Sequence, residues 1–356
     1  MTNQTDLYQE LAAKHGFPNS KYLPLIFKRL ATEDQVKILL QFPGTSETIA
    51  EKLSMDQAEL EKNVQELFEK GMAFPSSKGW RGGRMMDSVH DLTLSNKKYW
   101  ESYGGTEFGL LWRAFERIEW FPEVIGHLLA MEVPVLRVVP AWETVKDNPE
   151  LLPEEDMREI YAKTDSIVLI PCPCRVENYD RECDSPDEMC ISLNRSAEYN
   201  LRRGVGRKLT VEEAIEFEET VRKHDGVTVV PNSPQVDMVV CHCHGCCCLG
   251  FHMLRTQDVP LTTFAEKSRY EAKVDPVKCI ACQKCVETCQ FDAVELKKYP
   301  DMAKWKAFIN PDKCMGCGNC VLKCKKNALE MQVVRPPEHI PQGEMDLYAY
   351  GAAKKK

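Results

Sequence analysis

Two cysteine-rich stretches of the sequence repeat each other and carry the residues best suited to bind metal. VDPVKCIACQKCVETCQFDAVEL and INPDKCMGCGNCVLKCKKNALEM align without a gap, 35 residues apart. Each has the spacing C-x2-C-x2-C-x3-C, and the eight cysteines are Cys279, Cys282, Cys285, Cys289, Cys314, Cys317, Cys320 and Cys324. A cubane iron–sulfur cluster requires four thiolates, one for each iron. Zinc motifs usually consist of two separated cysteine pairs, so this spacing favours two [4Fe–4S] clusters over zinc.

The repeat resembles the bacterial-type two-[4Fe–4S] ferredoxin family. The resemblance implies a ferredoxin-like dicluster domain in which the fourth cysteine of each repeat binds the other cluster. One cluster would then be bound by Cys279, Cys282, Cys285 and Cys324, and the other by Cys314, Cys317, Cys320 and Cys289. The family usually has proline after the fourth cysteine, whereas Gln290 and Lys325 stand there in this sequence. This difference leaves the ligands intact and predicts altered hydrogen bonding, and therefore altered potentials, at the clusters.

Nine further cysteines precede the repeat in two groups. The first group has the spacing C-x-C-x8-C-x6-C and consists of Cys172, Cys174, Cys183 and Cys190. The second is the stretch CHCHGCCC, with Cys241, Cys243, Cys246, Cys247 and Cys248, and with His242 and His244 between them. Free adjacent cysteines are readily oxidised, so we predict that these nine residues are metal ligands.

Three interpretations of the nine cysteines remain open at this stage. They could bind one or two further iron–sulfur clusters, a structural zinc ion together with His242 or His244, or form a redox-active thiol site. The CPC and CHC tripeptides resemble the catalytic subunit of ferredoxin–thioredoxin reductases, with a different spacing between them. The segment is also similar to cysteine-rich regions beside dicluster ferredoxin domains in multi-cluster proteins of anaerobes. The neighbouring ferredoxin-like unit favours iron–sulfur clusters over zinc.

The elements that would position these cysteines divide the chain into four segments. We predict an α+β protein with a helical winged-helix-like domain (1–105), a central α/β cysteine-rich domain (106–268), a two-[4Fe–4S] ferredoxin domain (269–335) and an extended tail (336–356). In the central segment, VPVLRVVP and DSIVLIP predict buried strands, and DMVV predicts a strand leading into CHCHGCCC. Both central cysteine groups thus follow predicted strands, where α/β folds place functional loops. Thr210 and Glu213 predict the start of a helix that Gly226 closes.

The N-terminal segment contains no cysteine and has helical periodicity. Apolar residues predict two helices separated by a turn at 54–56, with Gly71 ending the second helix. The following stretch, SSKGWRGGRM, could form a β-wing. Residues 45–95 therefore resemble a winged helix-turn-helix.

The charge of the chain argues against nucleic-acid binding. The protein has 46 basic and 54 acidic residues, a net charge of −8. Residues 45–70, which include the candidate recognition helix, carry seven acidic and three basic side chains. Binding to phosphate requires a basic surface, and Lys78, Arg81 and Arg84 in the wing do not outweigh this acidity. We predict that the helical segment docks to protein and that the protein binds no nucleic acid.

Targeting features and cysteine usage predict the compartment. The sequence starts without a basic region followed by an apolar run, and no apolar stretch is long enough for a transmembrane segment. We therefore expect a cytoplasmic protein. In a reducing compartment clustered cysteines bind metal rather than form disulfides, and an odd total of 17 fits a disulfide framework poorly.

Together these features predict a multi-cluster iron–sulfur protein that passes single low-potential electrons to or from a partner oxidoreductase. We expect the partner to be a flavoprotein or metalloenzyme and the setting to be anaerobic. The sequence has no motif for a flavin, corrinoid or dinucleotide, which favours an electron-transfer subunit over a stand-alone enzyme. The alternatives are a ferredoxin-linked reductase with a thiol or cluster active site at 241–248, and a redox-sensing regulator. His90, His127, His224 and His252 are isolated in the sequence and receive no predicted role.

Overall fold

The N-terminal part of the chain folds into short helices whose ends are fixed by capping residues. The structure, a computed structural model, describes residues 6–83, 86–300 and 302–343. Its first helices are α1 (Leu7–Lys14), α2 (Leu23–Leu30), α3 (Glu33–Gln41), α4 (Ser46–Leu53) and α5 (Gln57–Lys70). Thr32 and Gln35 form a reciprocal capping box at α3, and Asp56 caps α5. Gly71 ends α5 with a left-handed φ of 87°, which glycine adopts without a steric penalty.

A hairpin follows α5, as the sequence predicts. It consists of β1 (Phe74–Ser76) and β2 (Gly79–Arg81), which pair antiparallel. Trp80 on β2 packs edge-on against Phe68 of α5 with 6.0 Å between ring centroids, and this contact fixes the hairpin to the helix. Arg84, one of the expected wing bases, lies outside the described residues. The two helices, their turn and the hairpin are confirmed, whereas their likeness to a winged helix remains a prediction.

Further helices complete the same apolar core. They are α6 (Met86–Leu94), α7 (Thr106–Phe115), a π-helix (Glu116–Trp120) and α8 (Phe121–Leu129). The buried rings of Phe108, Trp112 and Phe115 belong to the same apolar cluster as Leu23 of α2. A π-helical turn is rare, and this one begins at Glu116, which is only 2% exposed.

A seven-stranded sheet forms the centre of the molecule. Its strands are β3 (Leu136–Val138), β4 (Ile167–Pro171), β5 (Glu188–Leu193), β6 (Arg207–Leu209), β7 (Val227–Pro231), β8 (Val239–Cys243) and β9 (Ala265–Glu266). Their order is β6-β4-β5-β8-β7-β3-β9, and five of the six pairings within the described part of the chain are antiparallel. The central segment is therefore a mixed, mainly antiparallel sheet and not the predicted α/β arrangement. The physical reason is visible between β7 and β8, which residues 232–238 join, too few for the helical crossover that parallel neighbours need.

The predicted elements of the central segment are present. The strands expected at VPVLRVVP, DSIVLIP and DMVV are β3, β4 and β8, although β8 extends through Cys241 and Cys243 instead of ending before them. The helices are α9 (Met157–Ala162), α10 (Pro173–Glu177), α11 (Asn194–Arg202), α12 (Val211–Lys223) and α13 (Leu249–Thr256). Thr210 and Glu213 form the expected capping box of α12, which ends before Gly226 with His224 as its C-cap. Among the helices of the described residues, none is long and apolar enough to span a membrane.

The C-terminal part repeats one arrangement twice. Strand β10 (Tyr270–Val274) pairs with β13 (Leu329–Val333), β11 (Val294–Lys298) pairs with β12 (Trp305–Ile309), and the short helices are α14 (Lys284–Glu287) and α15 (Asn319–Leu322). Left-handed backbone recurs at matching positions, with φ of 56° at Ala281 and 73° at Gly316, and of 66° at Gln283 and 84° at Gly318. These residues redirect the chain between successive cysteines. Three closely spaced thiols of each repeat can therefore converge.

Short 3₁₀ helices connect the larger elements, and the last of them lies in the tail. They are Lys97–Tyr99, Trp142–Thr144, Pro153–Glu155, Leu261–Thr263 and Pro337–His339. In the tail, His339 Nε2 lies 2.9 Å from the backbone oxygen of Lys267, and Ile340 is buried. The tail is thus docked on the protein at His339 and Ile340, and 344–356 of the predicted tail lie outside the described residues.

A buried ionic cluster joins the helical part to the central segment. His90 of α6 has its Nε2 2.9 Å from Glu116 Oε1 and 3.1 Å from Glu177 Oε2. Its Nδ1 lies 2.8 Å from Asp91 Oδ1, so both ring nitrogens face acceptors, as the imidazolium requires. Burial alone would lower the pKa of His90, but the Glu116 charge and hydrogen bonds with the three carboxylates raise it above its usual value. Burial and the charge of Glu177 raise the pKa of Glu116 to about 8.

This cluster corrects the interpretation of His90 as an isolated residue. The four groups come from α6, the π-helix and α10, and the sequence separates His90 from Glu177 by 87 positions. Sequence patterns report neighbours along one helix or strand and give no signal for such a contact. The π-helix begins at Glu116, and the carboxylate of this residue lies in the interior.

We expect His90→Ala to lower the free energy of unfolding by roughly 3–5 kcal/mol, because removing one partner of a buried ion pair leaves the other charge unpaired. Tryptophan fluorescence in denaturant measures this, since the rings of Trp112 and Trp120 lie 5.2 and 6.5 Å from that of His90. The double variant His90→Ala/Glu116→Gln removes one buried carboxylate and should recover part of the loss. A double variant no more stable than the single one would contradict the electrostatic explanation.

Candidate metal centres

Four of the repeat cysteines line one cavity. Cys314, Cys317 and Cys320 of the second repeat enclose it together with Cys289 of the first repeat. Apolar groups, including the ring of Phe291, complete the lining. The structure thus brings together the four residues that the family resemblance assigns to one cluster, in an apolar space that suits thiolate-bound metal.

The other four repeat cysteines also lie together. The thiols of Cys279, Cys282 and Cys324 lie near enough to that of Cys285 to act on its charge. Burial, with the charges of these neighbours, raises the pKa of Cys285 to about 11. A metal ion reverses this effect, because a coordinating thiol is deprotonated outright. Without metal, the charges of the neighbouring thiolates oppose the ionisation of Cys285.

Backbone N–H groups donate to sulfur at matching positions of the two repeats. The N–H of Ala293 lies 3.4 Å from Cys289 Sγ, and that of Ala328 lies 3.3 Å from Cys324 Sγ. Hydrogen bonds to cluster sulfurs are one of the ways in which a protein sets a cluster's reduction potential. The turn after each fourth cysteine makes this bond although it lacks the proline of the related family.

The two sets of repeat cysteines differ in their surroundings. Cys282 is exposed, whereas Cys320 is buried. Next to Cys320, the side-chain Nδ2 of Asn319 donates to the backbone oxygens of Asp225 and Gly226, both at 3.0 Å. The set that contains Cys282 therefore faces solvent, and the set that contains Cys320 faces the central segment.

Gln290 connects the repeat to the CHCHGCCC stretch. Its Oε1 accepts the backbone N–H of Gly245 at 3.0 Å, and its backbone oxygen accepts from the Arg255 guanidinium. The rings of Phe251 and Phe291 meet edge-on beside this contact, 5.3 Å apart. A proline at position 290 has no side-chain acceptor, so the departure from the related family has a structural role here.

Six of the nine central cysteines form a closed ring of thiols, called here the thiol ring. In ring order they are Cys172, Cys174, Cys248, Cys243, Cys241 and Cys190. Each thiol interacts with its two neighbours, and the sulfurs of Cys243 and Cys248 lie 3.2 Å apart. The sheet explains part of this arrangement, because Cys190 on β5 lies directly opposite Cys241 on β8.

A buried arginine accompanies the thiol ring. Arg175 on α10 is 1% exposed, and its Nη1 donates to the backbone oxygen of His242 at 2.9 Å. Its Nε and Nη2 have no oxygen or nitrogen acceptor within the described part of the chain. Burial alone would lower the pKa of Arg175, but the charges of Cys172 and Cys247 raise it. Buried N–H groups are rarely left unpaired, so this guanidinium indicates an anionic centre, as metal-bound thiolates would provide.

His242 turns away from the thiol ring. Although it lies between Cys241 and Cys243, its Nδ1 is 2.9 Å from the backbone oxygen of Met189 and its Nε2 is 3.1 Å from Glu218 Oε1. Successive residues of a strand point to opposite faces of the sheet. The hypothesis that His242 binds zinc together with these cysteines is therefore wrong.

The remaining three central cysteines form a separate group, called here the three-thiol site. The sulfurs of Cys183, Cys246 and Cys247 all lie within 4.8 Å of one another, and those of Cys183 and Cys247 are 4.0 Å apart. His244 Nδ1 lies 3.0 Å from Cys246 Sγ. Cys247 and Cys248, adjacent in the sequence, thus belong to different groups.

Comparison with known proteins identifies one part of the chain. Residues 267–344 match the family described as 4Fe-4S dicluster domain. No curated protein and no solved structure matches the chain significantly. The match includes all eight repeat cysteines and none of the nine central ones. A domain of this family implies two [4Fe–4S] clusters and electron transfer. Residues 267–344 are therefore a 4Fe-4S dicluster domain within a larger protein.

Proposed function

We propose that the protein carries single electrons between a partner oxidoreductase and a metal centre in its central sheet, through the two clusters of the dicluster domain. The observation that carries this proposal is the hydrogen bond between Gln290 and Gly245. Gln290 directly follows Cys289 of the dicluster domain, and Gly245 lies two residues after Cys243 of the thiol ring. The dicluster domain and the central cysteines are therefore in contact, as electron transfer between them requires.

The outer cluster is assigned to the solvent-facing set and the inner cluster to the set facing the sheet. Their ligands are Cys279, Cys282, Cys285 and Cys324 for the outer cluster, and Cys314, Cys317, Cys320 and Cys289 for the inner one. The shared cavity and the surroundings of Cys285 support this crossed assignment. When bound, the clusters supply single-electron oxidation and reduction. The chain holds the thiols, donates N–H groups to sulfur and excludes water with side chains such as Phe291.

The thiol ring is assigned one further [4Fe–4S] cluster, held by four of its six thiolates. Arg175 supports this assignment because it supplies a buried positive charge beside the sulfurs. The alternative reductase function needs a thiolate that can reach an external disulfide. Cys172, Cys243 and Cys248 are only 5%, 7% and 5% exposed, which favours an electron-storing centre over a thiol nucleophile.

The partner would dock where the outer cluster approaches the surface. Val277 and Ile280, on either side of Cys279, are 80% and 60% exposed. A contiguous patch of exposed apolar side chains marks an interaction surface. We assign this surface to the partner oxidoreductase, a flavoprotein or metalloenzyme, and the acidic helical part to protein docking rather than to nucleic acid.

Metal content tests the central cluster. Protein purified without oxygen should contain about twelve irons and twelve acid-labile sulfides per chain, since each cubane contributes four of each. Cys190→Ser should lower both counts towards about eight and leave the electron paramagnetic resonance of the dicluster unchanged. Cys282→Ser is the matched control and should affect the dicluster signals instead. Eight irons in the unmodified protein would contradict a central cluster and leave the dicluster assignment intact.

Gln290→Ala tests the electron path. We expect it to slow reduction of the central cluster severalfold in rapid-mixing experiments, because loss of the bond to Gly245 loosens the contact across which electrons tunnel. Reduction of the dicluster itself should keep its rate. Lys325→Ala is the matched control, since Lys325 is the exposed residue at the equivalent position of the second repeat. Equal rates for the Gln290 variant and the unmodified protein would show that electrons take another route.

A further inference from the structure

The three-thiol site is not used by the electron path proposed above. Cys183 comes from the loop before β5, and Cys246 and Cys247 come from the turn before α13. Cys247 is buried, whereas Cys183 and Cys246 are half-buried. The site therefore lies close to the surface, where a metal ion can enter.

The spacing of its sulfurs fits a single ion. Zinc–sulfur bonds of about 2.3 Å in a tetrahedron place the sulfurs about 3.8 Å apart. In the three-thiol site, the sulfurs of Cys183 and Cys247 are 4.0 Å apart and all three lie within 4.8 Å. In a cubane each thiolate binds a different iron, so three ligand sulfurs are not all this close to one another. The other cysteines provide an internal reference, because within the described chain neither the eight of the dicluster domain nor the six of the thiol ring include a group of three this close.

Hydrogen bonds that do not involve the thiols hold both loops in place. The Arg181 guanidinium donates to the backbone oxygen of Ser185 at 2.6 Å and to Asp187 Oδ1 at 2.9 Å, which closes the loop around Cys183. The backbone N–H of Cys247 donates to the backbone oxygen of His244 at 3.2 Å and shapes the second turn. Ligands that are already ordered lose little conformational freedom on binding.

Two nearby groups suit a zinc–thiolate centre. Three thiolates on Zn²⁺ leave one net negative charge, and the buried guanidinium of Arg175 lies close enough to Cys247 to offset it. His244 is a nitrogen donor 3.0 Å from Cys246 Sγ, although it is not within 4.8 Å of all three sulfurs. A disulfide between Cys183 and Cys247 would instead require a sulfur separation of about 2.05 Å and would leave Cys246 unpaired.

We infer that Cys183, Cys246 and Cys247 bind one zinc ion, with His244 as the candidate for the fourth ligand. Such an ion ties the loop before β5 to the start of α13 beside the thiol ring. Zinc has no redox chemistry, so it holds the cysteine loop in position and carries no electron. Of the nine central cysteines, six then form the thiol ring and three bind zinc.

The test measures zinc in the unmodified holoprotein, purified without oxygen and incubated with zinc salt before desalting. Plasma mass spectrometry should find one zinc per chain beside the iron. The zinc K-edge absorption spectrum should show sulfur neighbours at about 2.3 Å. Absence of zinc, or zinc with only nitrogen and oxygen neighbours, would overturn the inference, and neither measurement depends on a variant that must fold.

Reciprocal variants separate this site from the thiol ring. Cys183→Ser should lose the zinc and keep the full iron content, whereas Cys190→Ser should lose iron and keep the zinc. Loss of iron with unchanged zinc in Cys183→Ser would overturn the inference. Eight irons with one zinc in the unmodified protein would contradict the central cluster and support the zinc site, so the two proposals fail separately.

Discussion

The structure depends on accommodating a large number of sulfur atoms in a low-dielectric interior. All 17 cysteines lie between Cys172 and Cys324, and most of them are shielded from solvent. Burial opposes the ionisation of a thiol, and each neighbouring thiolate opposes it further. Two kinds of group stabilise the sulfurs. Backbone N–H groups donate to sulfur in the dicluster domain, and the buried Arg175 guanidinium lies at the thiol ring. The sheet, the capped helices and the contact at Gln290 hold these donors and sulfurs in their positions.

The sequence predicts those features that neighbouring residues determine. The eight repeat cysteines converge because two or three residues separate them, and left-handed backbone at Ala281 and Gly316 turns the chain between them. The helix limits at Asp56 and Thr210 are equally local, because a cap and its acceptor lie within one turn. Such features can be predicted from a sequence because the interacting residues lie close together in it.

The remaining features depend on which segments meet in space. Cys190 joins the thiol ring through the pairing of β5 with β8, and spacing cannot reveal a strand register. The same apolar runs fit parallel and antiparallel strands, which is why the prediction of an α/β arrangement in the central segment was wrong. His242 is the clearest example of a contact that the sequence does not reveal. Its position between two cysteines suggested that all three bind one metal. Because side chains alternate along a strand, His242 points towards Glu218 instead. Gln290 and His90 contact residues far along the chain, and no local pattern marks either one.

The thiol ring also sets the order in which the protein can be assembled. Its members span residues 172–248 and include cysteines on β5 and β8, so the ring does not exist until these strands have paired. The dicluster thiols span only residues 279–324, which include neither of these strands. Uptake of iron and sulfide by the ferredoxin-like part therefore does not depend on the pairing of β5 with β8. A chain whose sheet is misfolded can still have the brown colour of bound iron–sulfur clusters. Colour alone therefore does not show that the central sheet has formed.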